Sequence, residues 1–140
     1  MLKRFSFAIA FLLAPYALTA SELIIHVQGF DNDKGQALIA LYNSAKGFPE
    51  SDQYKAVKVA IKDAKASYTF KNLAEGQYAV AIVHDVNANQ ELDKNFFGIP
   101  KEEYGFSNNV KGHLGPPEFK AAAVQLSNGQ KKVISITVSD

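Results

Sequence analysis

Residues 68–80 read Tyr-Thr-Phe-Lys-Asn-Leu-Ala-Glu-Gly-Gln-Tyr-Ala-Val, which is an aromatic stretch, a turn and an apolar stretch in succession. In this order Leu73 is expected to close one end of a core, and Gly76 to adopt a backbone angle that other residues resist. Tyr78 then begins the next strand with a buried ring and a polar tip. The stretch therefore predicts a strand, a tight turn and a second, more buried strand.

Strand-like patterns continue on both sides of this element. Further segments alternate between apolar and polar residues or are apolar throughout, and turn residues separate them. The seven predicted strands are 22–30, 36–43, 56–62, 67–71, 77–84, 119–126 and 133–138. Asn128 and Gly129 predict a hairpin between the last two. Seven short strands without a helical period predict an all-β fold, a single antiparallel β-sandwich with one long loop insertion.

The helical alternative applies to residues 52–66, which are rich in Lys and Ala. Strict alternation at Val57, Val59 and Ile61 favours a strand there instead. The 68–80 stretch also resembles the strand–turn–strand element of transthyretin-like (prealbumin-like) sandwiches, including carboxypeptidase regulatory-like domains. This resemblance implies a transthyretin-like or immunoglobulin-like sandwich, and it implies nothing about activity.

The first twenty residues have the pattern of a secretory signal peptide. Lys3 and Arg4 precede an uncharged apolar run, and small residues such as Thr19 and Ala20 follow it. The apolar run has about 14 residues, fewer than the roughly 20 that cross a bilayer, so a cleaved signal is favoured over a membrane anchor. We expect cleavage after Ala20, a mature domain of residues 21–140, a periplasmic or extracellular location, and no membrane-spanning segment after cleavage.

Composition excludes several classes of function. The chain has 140 residues, 47% of them hydrophobic, which fits one globular domain. The net charge is +1; without residues 1–20, which hold two basic and no acidic residues, it is −1, and every remaining basic residue is a lysine. This balance argues against a nucleic-acid partner. The absence of cysteine excludes disulfides and a thiol nucleophile.

Residues 84–118 form an insertion that is longer than most loops of compact domains. Its first half places oxygen-bearing side chains at alternate positions: Asp85, Asn87, Asn89, Glu91 and Asp93. This spacing matches the early ligand positions of an EF-hand loop, and oxygen atoms are the ligands that calcium prefers. Gln90 stands where that loop favours Gly, and Phe96 where it has a bidentate Glu. The segment predicts either a calcium site, the one cofactor we expect, or a metal-free polar turn of the same shape.

The second half of the insertion is aromatic and rich in glycine. A Phe97-Gly98-Ile99-Pro100 step is followed by the run Tyr104-Gly105-Phe106-Ser107-Asn108-Asn109. Together with the Asp-rich loop, these motifs resemble the signature region of the domain of unknown function 2141, a family of exported bacterial proteins, and the resemblance covers roughly residues 22–138. Typical members carry Gly where this chain has Gln90. The resemblance implies export and a sandwich fold, and it does not indicate any particular activity.

Two interpretations of residues 96–109 remain open. In the first, three rings stack on a sugar or peptide while two amides hydrogen-bond to it, a mixture typical of binding pockets. These residues are Phe97, Tyr104, Phe106, Asn108 and Asn109. In the second, the aromatic side chains seal the open end of the sandwich.

No constellation of residues predicts catalysis. His84 and Asp85 are neighbours on a strand and therefore point to opposite faces. Glu102 and Glu103 read as surface charge in a turn, and Ser107 lacks the G-x-S-x-G pattern. We predict an exported, non-catalytic binding or structural protein of the bacterial envelope, with a calcium-stiffened loop at 85–93 and an envelope protein or glycan as partner. The alternatives are an interaction domain that uses an exposed sheet edge and, third, a hydrolase.

Overall fold

The computed structural model describes residues 6, 8–13, 19–89 and 102–140. Most of these residues belong to β-strands, joined by turns and two short helical segments. The elements are β1 (Ser21–Gln28), β2 (Gln36–Tyr42), β3 (Lys55–Val59), β4 (Lys65–Leu73), β5 (Gly76–Asp85), β6 (Tyr104–Phe106), a 3₁₀ turn (Ser107–Asn109), α1 (Phe119–Ala122), β7 (Val124–Leu126) and β8 (Lys131–Thr137). Across the described ranges, no helix is both long enough and apolar enough to cross a membrane.

The strands form two packed sheets. One contains three strands in the order β4-β1-β8, and the other contains β3-β2-β5-β6, with β7 also paired to β5. Along each strand, residues that face the opposite sheet alternate with residues that face outward. The inward residues form the main core, which includes Leu23, Ile25, Ile39, Leu41, Val80, Ile82 and Ile136. The predicted all-β sandwich is confirmed; its assignment to the transthyretin-like class stays a prediction.

The strand–turn–strand element at residues 68–80 forms as predicted. Leu73 and Tyr78 are 2% and 4% exposed. The Tyr78 hydroxyl donates a hydrogen bond of 2.7 Å to the carbonyl of Ala74. Gly76 has a φ of +154°, which residues with a side chain rarely adopt. A buried ring with a satisfied polar tip therefore anchors the start of β5.

The predicted strand 119–126 and the hairpin after it are wrong. Residues 119–122 form a helical turn, and only Val124–Leu126 is a strand. β7 pairs with β5 in one sheet, whereas β8 pairs with β1 in the other, so residues 127–130 carry the chain between sheets. The turn itself is tight, with the amide of Gln130 bonded to the carbonyl of Ser127. Asn-Gly chemistry thus predicts the local turn correctly but does not determine which strands pair.

Two further features depart from the predicted arrangement. β1 and β8 run parallel, the one exception to antiparallel pairing among the described strands. β6 lies within the segment that we expected to be a loop. Its three residues pair with Ala81–Val83 of β5.

A second, smaller core covers the outer face of the larger sheet. Tyr42, Ala79 and Phe106 are buried there. The Phe48 ring packs edge-on against Tyr42 and Phe119, with ring centroids 4.9 and 5.9 Å apart. The loop that contains Phe48 is held in place because the Tyr42 hydroxyl donates to the carbonyl of Pro49 at 2.6 Å. The larger sheet is therefore covered by apolar side chains on both of its faces, which explains why β2 and β5 do not alternate between apolar and polar residues.

Burial of the Tyr42 hydroxyl gives a testable pH dependence. Burial raises the pKa of Tyr42 above its ordinary value of 10.0, and burial acts on the pKa of Tyr78 in the same direction. Because the unfolded chain loses these protons first, their contribution to stability is complete below about pH 10 and is lost as the pH rises through the folded-state pKa. We expect Tyr42→Phe to weaken the alkaline fall in the free energy of unfolding. It should also lower stability at pH 7 by about 1 kcal/mol through the lost hydrogen bond.

Urea denaturation at a series of pH values measures both effects. The control is Tyr68→Phe, at a side chain that is 38% exposed. In this control, the free energy of unfolding should fall at alkaline pH as steeply as in the unchanged protein. If the free energy of unfolding of Tyr42→Phe fell equally steeply, burial of the Tyr42 hydroxyl would not be a cause of the alkaline loss of stability.

Candidate functional site

The start of the insertion, at residues 84–86, meets residues 102–103 at one end of the sandwich. β5 ends at Asp85, and the chain is next described from Glu102. The amide of His84 donates to the carbonyl of Glu103 at 2.9 Å. The amide of Val86 donates to Oε1 of Glu102 at 3.2 Å. The segment 86–102 therefore leaves and re-enters the sheet at adjacent positions.

A buried histidine–carboxylate pair joins these two ends. His84 and Glu103 are 1% and 5% exposed. Nδ1 of His84 lies 2.8 Å from Oε2 of Glu103, and Nε2 lies 2.7 Å from the carbonyl oxygen of Lys34. A carbonyl only accepts, so Nε2 carries a hydrogen, and one further proton is shared between Nδ1 and the carboxyl group. Phe30 packs edge-on against the ring, with centroids 5.1 Å apart.

The same pair also holds the turn between β1 and β2. Oε1 of Glu103 accepts a hydrogen bond of 2.7 Å from the amide of Asp31. Gly35, with a φ of +66°, lies so close to β5 that a Cβ atom there would be 2.0 Å from the carbonyl oxygen of Asp85. We call His84, Glu103 and the backbone groups of Asp31 and Lys34 the loop clamp. It joins three segments that are distant in sequence.

The interpretation of Glu102 and Glu103 as surface charge is wrong. Glu102 is 7% exposed and accepts from the backbone, and Glu103 has the partners just described. A signal for this was present in the sequence. Val80, Ile82 and His84 alternate on one face of β5, so His84 faces the core and must have a hydrogen-bond partner. The identity of that partner depends on where the insertion returns, which periodicity does not indicate.

The calcium-ligand candidates form a compact turn. Asp85 is fully buried; its Oδ1 accepts from the amide of Asn89 at 3.0 Å, and its Oδ2 accepts from Nε2 of Gln36 at 3.3 Å. Oδ1 of Asn87 accepts from the same Asn89 amide at 3.1 Å. Asp85 and Asn87 thus direct oxygen atoms to one point. The remaining candidates, Glu91 and Asp93, lie outside the described residues.

Among the residues that the structure describes, no group of three or more His, Cys, Asp or Glu residues is placed to hold a metal ion.

Two of the proposed stacking rings lie on the outer face of the larger sheet. Phe106 is 7% exposed and belongs to the smaller core. Its ring centroid is 5.8 Å from that of Tyr104 and 6.0 Å from that of Phe48. Tyr104 is half-buried. Phe97, the third ring, lies outside the described residues.

The amide candidates bind neighbouring backbone groups. Nδ2 of Asn108 donates to the carbonyls of Ala121 and Ala123. Asn109 contacts β8 as a pairing strand does: its Oδ1 accepts from the amide of Thr137 at 2.9 Å, and its Nδ2 donates to the carbonyl of Ser135 at 3.3 Å. Both asparagines have positive φ, which Asn tolerates better than most residues.

The rest of the 104–109 run has a similar structural role. Ser107 is fully buried, and its Oγ accepts from the amide of Val80 and donates to the carbonyl of Ala122. At Gly105 a Cβ atom would lie 2.9 Å from the carbonyl oxygen of Thr137. The run therefore joins β5, β8 and α1 through hydrogen bonds and close packing.

Comparison with known proteins gives one family. The family model described as "Uncharacterized protein conserved in bacteria (DUF2141)" matches residues 25–134, a range that includes the loop clamp and the 104–109 run. Searches of curated proteins and of solved structures found no match.

Removing the clamp carboxylate should destabilise the fold. We expect Glu103→Ala to lower the free energy of unfolding by about 3 kcal/mol, because it leaves Nδ1 of the buried His84 ring and the backbone amide of Asp31 without partners. Glu103→Gln should cost only about 1 kcal/mol. The Gln amide oxygen still accepts from Asp31, and its nitrogen donates to Nδ1 of His84.

Chemical denaturation at pH 7 measures these differences. Glu75→Ala, at an exposed turn position, is the matched control and should leave stability unchanged. Equal losses for Glu103→Ala and Glu103→Gln would show that the clamp's hydrogen bonds contribute nothing to stability.

Proposed function

Because the chain belongs to this bacterial family, we propose that it is an exported, non-catalytic β-sandwich protein of the envelope. It binds an envelope protein or glycan through the segment 86–102, whose start is stiffened by calcium. The observation that carries the proposal is the loop clamp. It fixes both ends of a long segment on the sandwich, and loops presented by a rigid scaffold are where binding sites concentrate.

The hydrogen bonds of the loop clamp favour a structural role for His84 and Glu103 over a catalytic one. Both ring nitrogens of His84 have partners within 2.8 Å, and both carboxyl oxygens of Glu103 are hydrogen-bonded. A general base must instead direct a nitrogen or oxygen atom toward a substrate. Ser107 is hydrogen-bonded to backbone groups on both sides and faces the interior. These groups are used to stabilise the fold, which supports a binding or structural role.

Calcium is proposed from the donor atoms at the start of the segment. Oδ1 of Asp85 and Oδ1 of Asn87 accept from the same Asn89 amide, so a carboxylate and an amide oxygen lie close together in this turn. Carboxylate and amide oxygens are hard donors of the kind that calcium takes. Glu91 and Asp93 continue the same spacing in the sequence. An ion there would order the segment that the clamp anchors.

Export is supported by where the predicted cleavage falls. Cleavage after Ala20 would leave Ser21 as the first residue of β1. Ser21 is buried, and its hydroxyl donates to the carbonyl of Ser127 at 2.7 Å. Processing at this bond would therefore remove no residue of the sandwich strands.

Calcium binding is tested by thermal unfolding of the purified, chelator-stripped protein. The unfolding midpoint should rise with added Ca²⁺ and not with Mg²⁺, because an ion bound only by the folded state stabilises it, by about 2.7 kcal/mol at a hundredfold excess over Kd. Asn87→Ala should weaken this response, whereas Asn43→Ala, in another exposed loop, should not. A flat response up to millimolar Ca²⁺ would refute the calcium part and leave the clamp unaffected.

Export is tested by expressing the full chain in a bacterium and sequencing the N-terminus of the periplasmic product. We expect the mature protein to begin at Ser21. The double variant Leu12→Lys/Leu13→Lys should leave the unprocessed chain in the cytoplasm, because it interrupts the apolar run. Leu114→Lys, at a fully exposed position, is the control and should be exported normally. An unprocessed, cytoplasmic wild-type chain would overturn the envelope assignment.

A further inference from the structure

A cleft lies between the two sheets, at the side opposite to β8. Each sheet ends there in an outer strand: β3 pairs with β2, and β4 pairs with β1, so within the described residues each of these two strands has one unpaired edge. The cleft between them has a volume of about 660 Å³. Its lining includes Lys55 and Val57 of β3 and Tyr68, Phe70 and Lys71 of β4.

The floor of the cleft is aromatic and continuous with the core. Tyr68 pairs with Ile25, a core residue, so its side chain points toward the inner face of its sheet. It is nevertheless 38% exposed, because no strand bridges the edges of β3 and β4 in the described structure. Its ring packs edge-on against Phe70, which is 3% exposed, with centroids 4.9 Å apart. A ligand in the cleft would therefore contact an ordered aromatic surface.

The rim of the cleft is positively charged. Residues 55–71 contain five lysines and one acidic residue, Asp63, although the whole chain has 15 basic and 14 acidic residues. In the part of the chain that the structure describes, none of these lysines lies within 4.0 Å of a carboxylate. Two of these lysines, Lys55 and Lys71, line the cleft itself, so its rim carries two positive charges. Such a patch attracts anionic partners and is screened by salt.

We propose that this cleft binds an extended acidic segment of a partner protein, which adds as a strand to the free edge of β3. Apolar side chains of the segment would lie against Tyr68 and Phe70, and acidic side chains at the rim would lie beside Lys55 and Lys71. Strand addition is a common way for a sheet edge to bind a peptide, and backbone hydrogen bonds supply much of the affinity. This surface is separate from the segment 86–102, so the inference goes beyond the proposed function.

Charge distinguishes this partner from a second copy of the chain. Lysines on an edge strand discourage pairing between identical molecules, because two such edges repel each other. The same lysines favour an edge that carries acidic residues. An anionic glycan could use the lysines, but it would leave the backbone groups of β3 and β4 unpaired.

The test is a binding titration with a fluorescent peptide of about ten residues in which Glu and Val alternate, since strands of about five residues suffice for pairing. We expect saturable binding to the purified protein that weakens as salt is raised. The double variant Lys55→Gln/Lys71→Gln should bind about tenfold more weakly, the combined effect of two exposed ion pairs. Lys120→Gln/Lys131→Gln, on α1 and β8, is the charge-matched control and should bind as the unchanged protein does.

Two further probes separate the binding modes. The same peptide with alternate amides N-methylated should lose binding, because it cannot pair with a strand edge. Oligogalacturonate, an anionic glycan without amides, should not compete. No saturable binding, equal loss in both double variants, binding that survives N-methylation, or binding of the glycan in place of the peptide would each overturn the proposal. Thermal unfolding of each variant shows that it is folded before it is titrated.

Discussion

A histidine ring that is 1% exposed at the end of a strand must find partners for both of its nitrogens. In this protein that requirement organises one end of the sandwich. The Lys34 carbonyl satisfies one nitrogen and Glu103 the other, and Glu103 then takes the amide of Asp31. The turn after β1, the end of β5 and the return of the insertion are thereby fixed together. An unpaired polar group at this depth would cost several kcal/mol, so none of the three segments can move away independently.

The strands of this fold were largely predictable, whereas their partners were not. Alternation at Val57 and Val59, and the buried Tyr78 after its turn, identified strands correctly because a half-exposed strand has a period of two. Pairing depends on contacts between residues far apart in the chain. The parallel contact of β1 with β8 and the passage of residues 127–130 between sheets have no local signal. β6 was missed because three residues are too few for a period to appear.

In the candidate site, too, local patterns were predictable from the sequence, whereas contacts between distant residues were not. Asp85 and Asn87 were recognised because oxygen-bearing residues recur at a regular spacing, and they do form one turn. Glu103 was misread because a carboxylate in a loop is usually solvated, and the buried imidazole that needs it is 19 residues away. Asn109 reads as a ligand donor in the sequence, yet its amide replaces a pairing strand at the edge of β8. Polar residues in a recurring motif therefore need not face a ligand.

The parallel pairing of β1 with β8 also has a consequence for the order in which the protein can fold. β1 is the central strand of its sheet, and one of its neighbours is formed by residues 131–137. The sheet is thus incomplete until residues 131–137 are available, and closing such a long loop slows folding. A chain made from its N-terminus remains without this second strand contact on β1 until β8 has been synthesised. Delayed closure of this kind suits the export proposed above, in which the chain crosses a membrane before it folds.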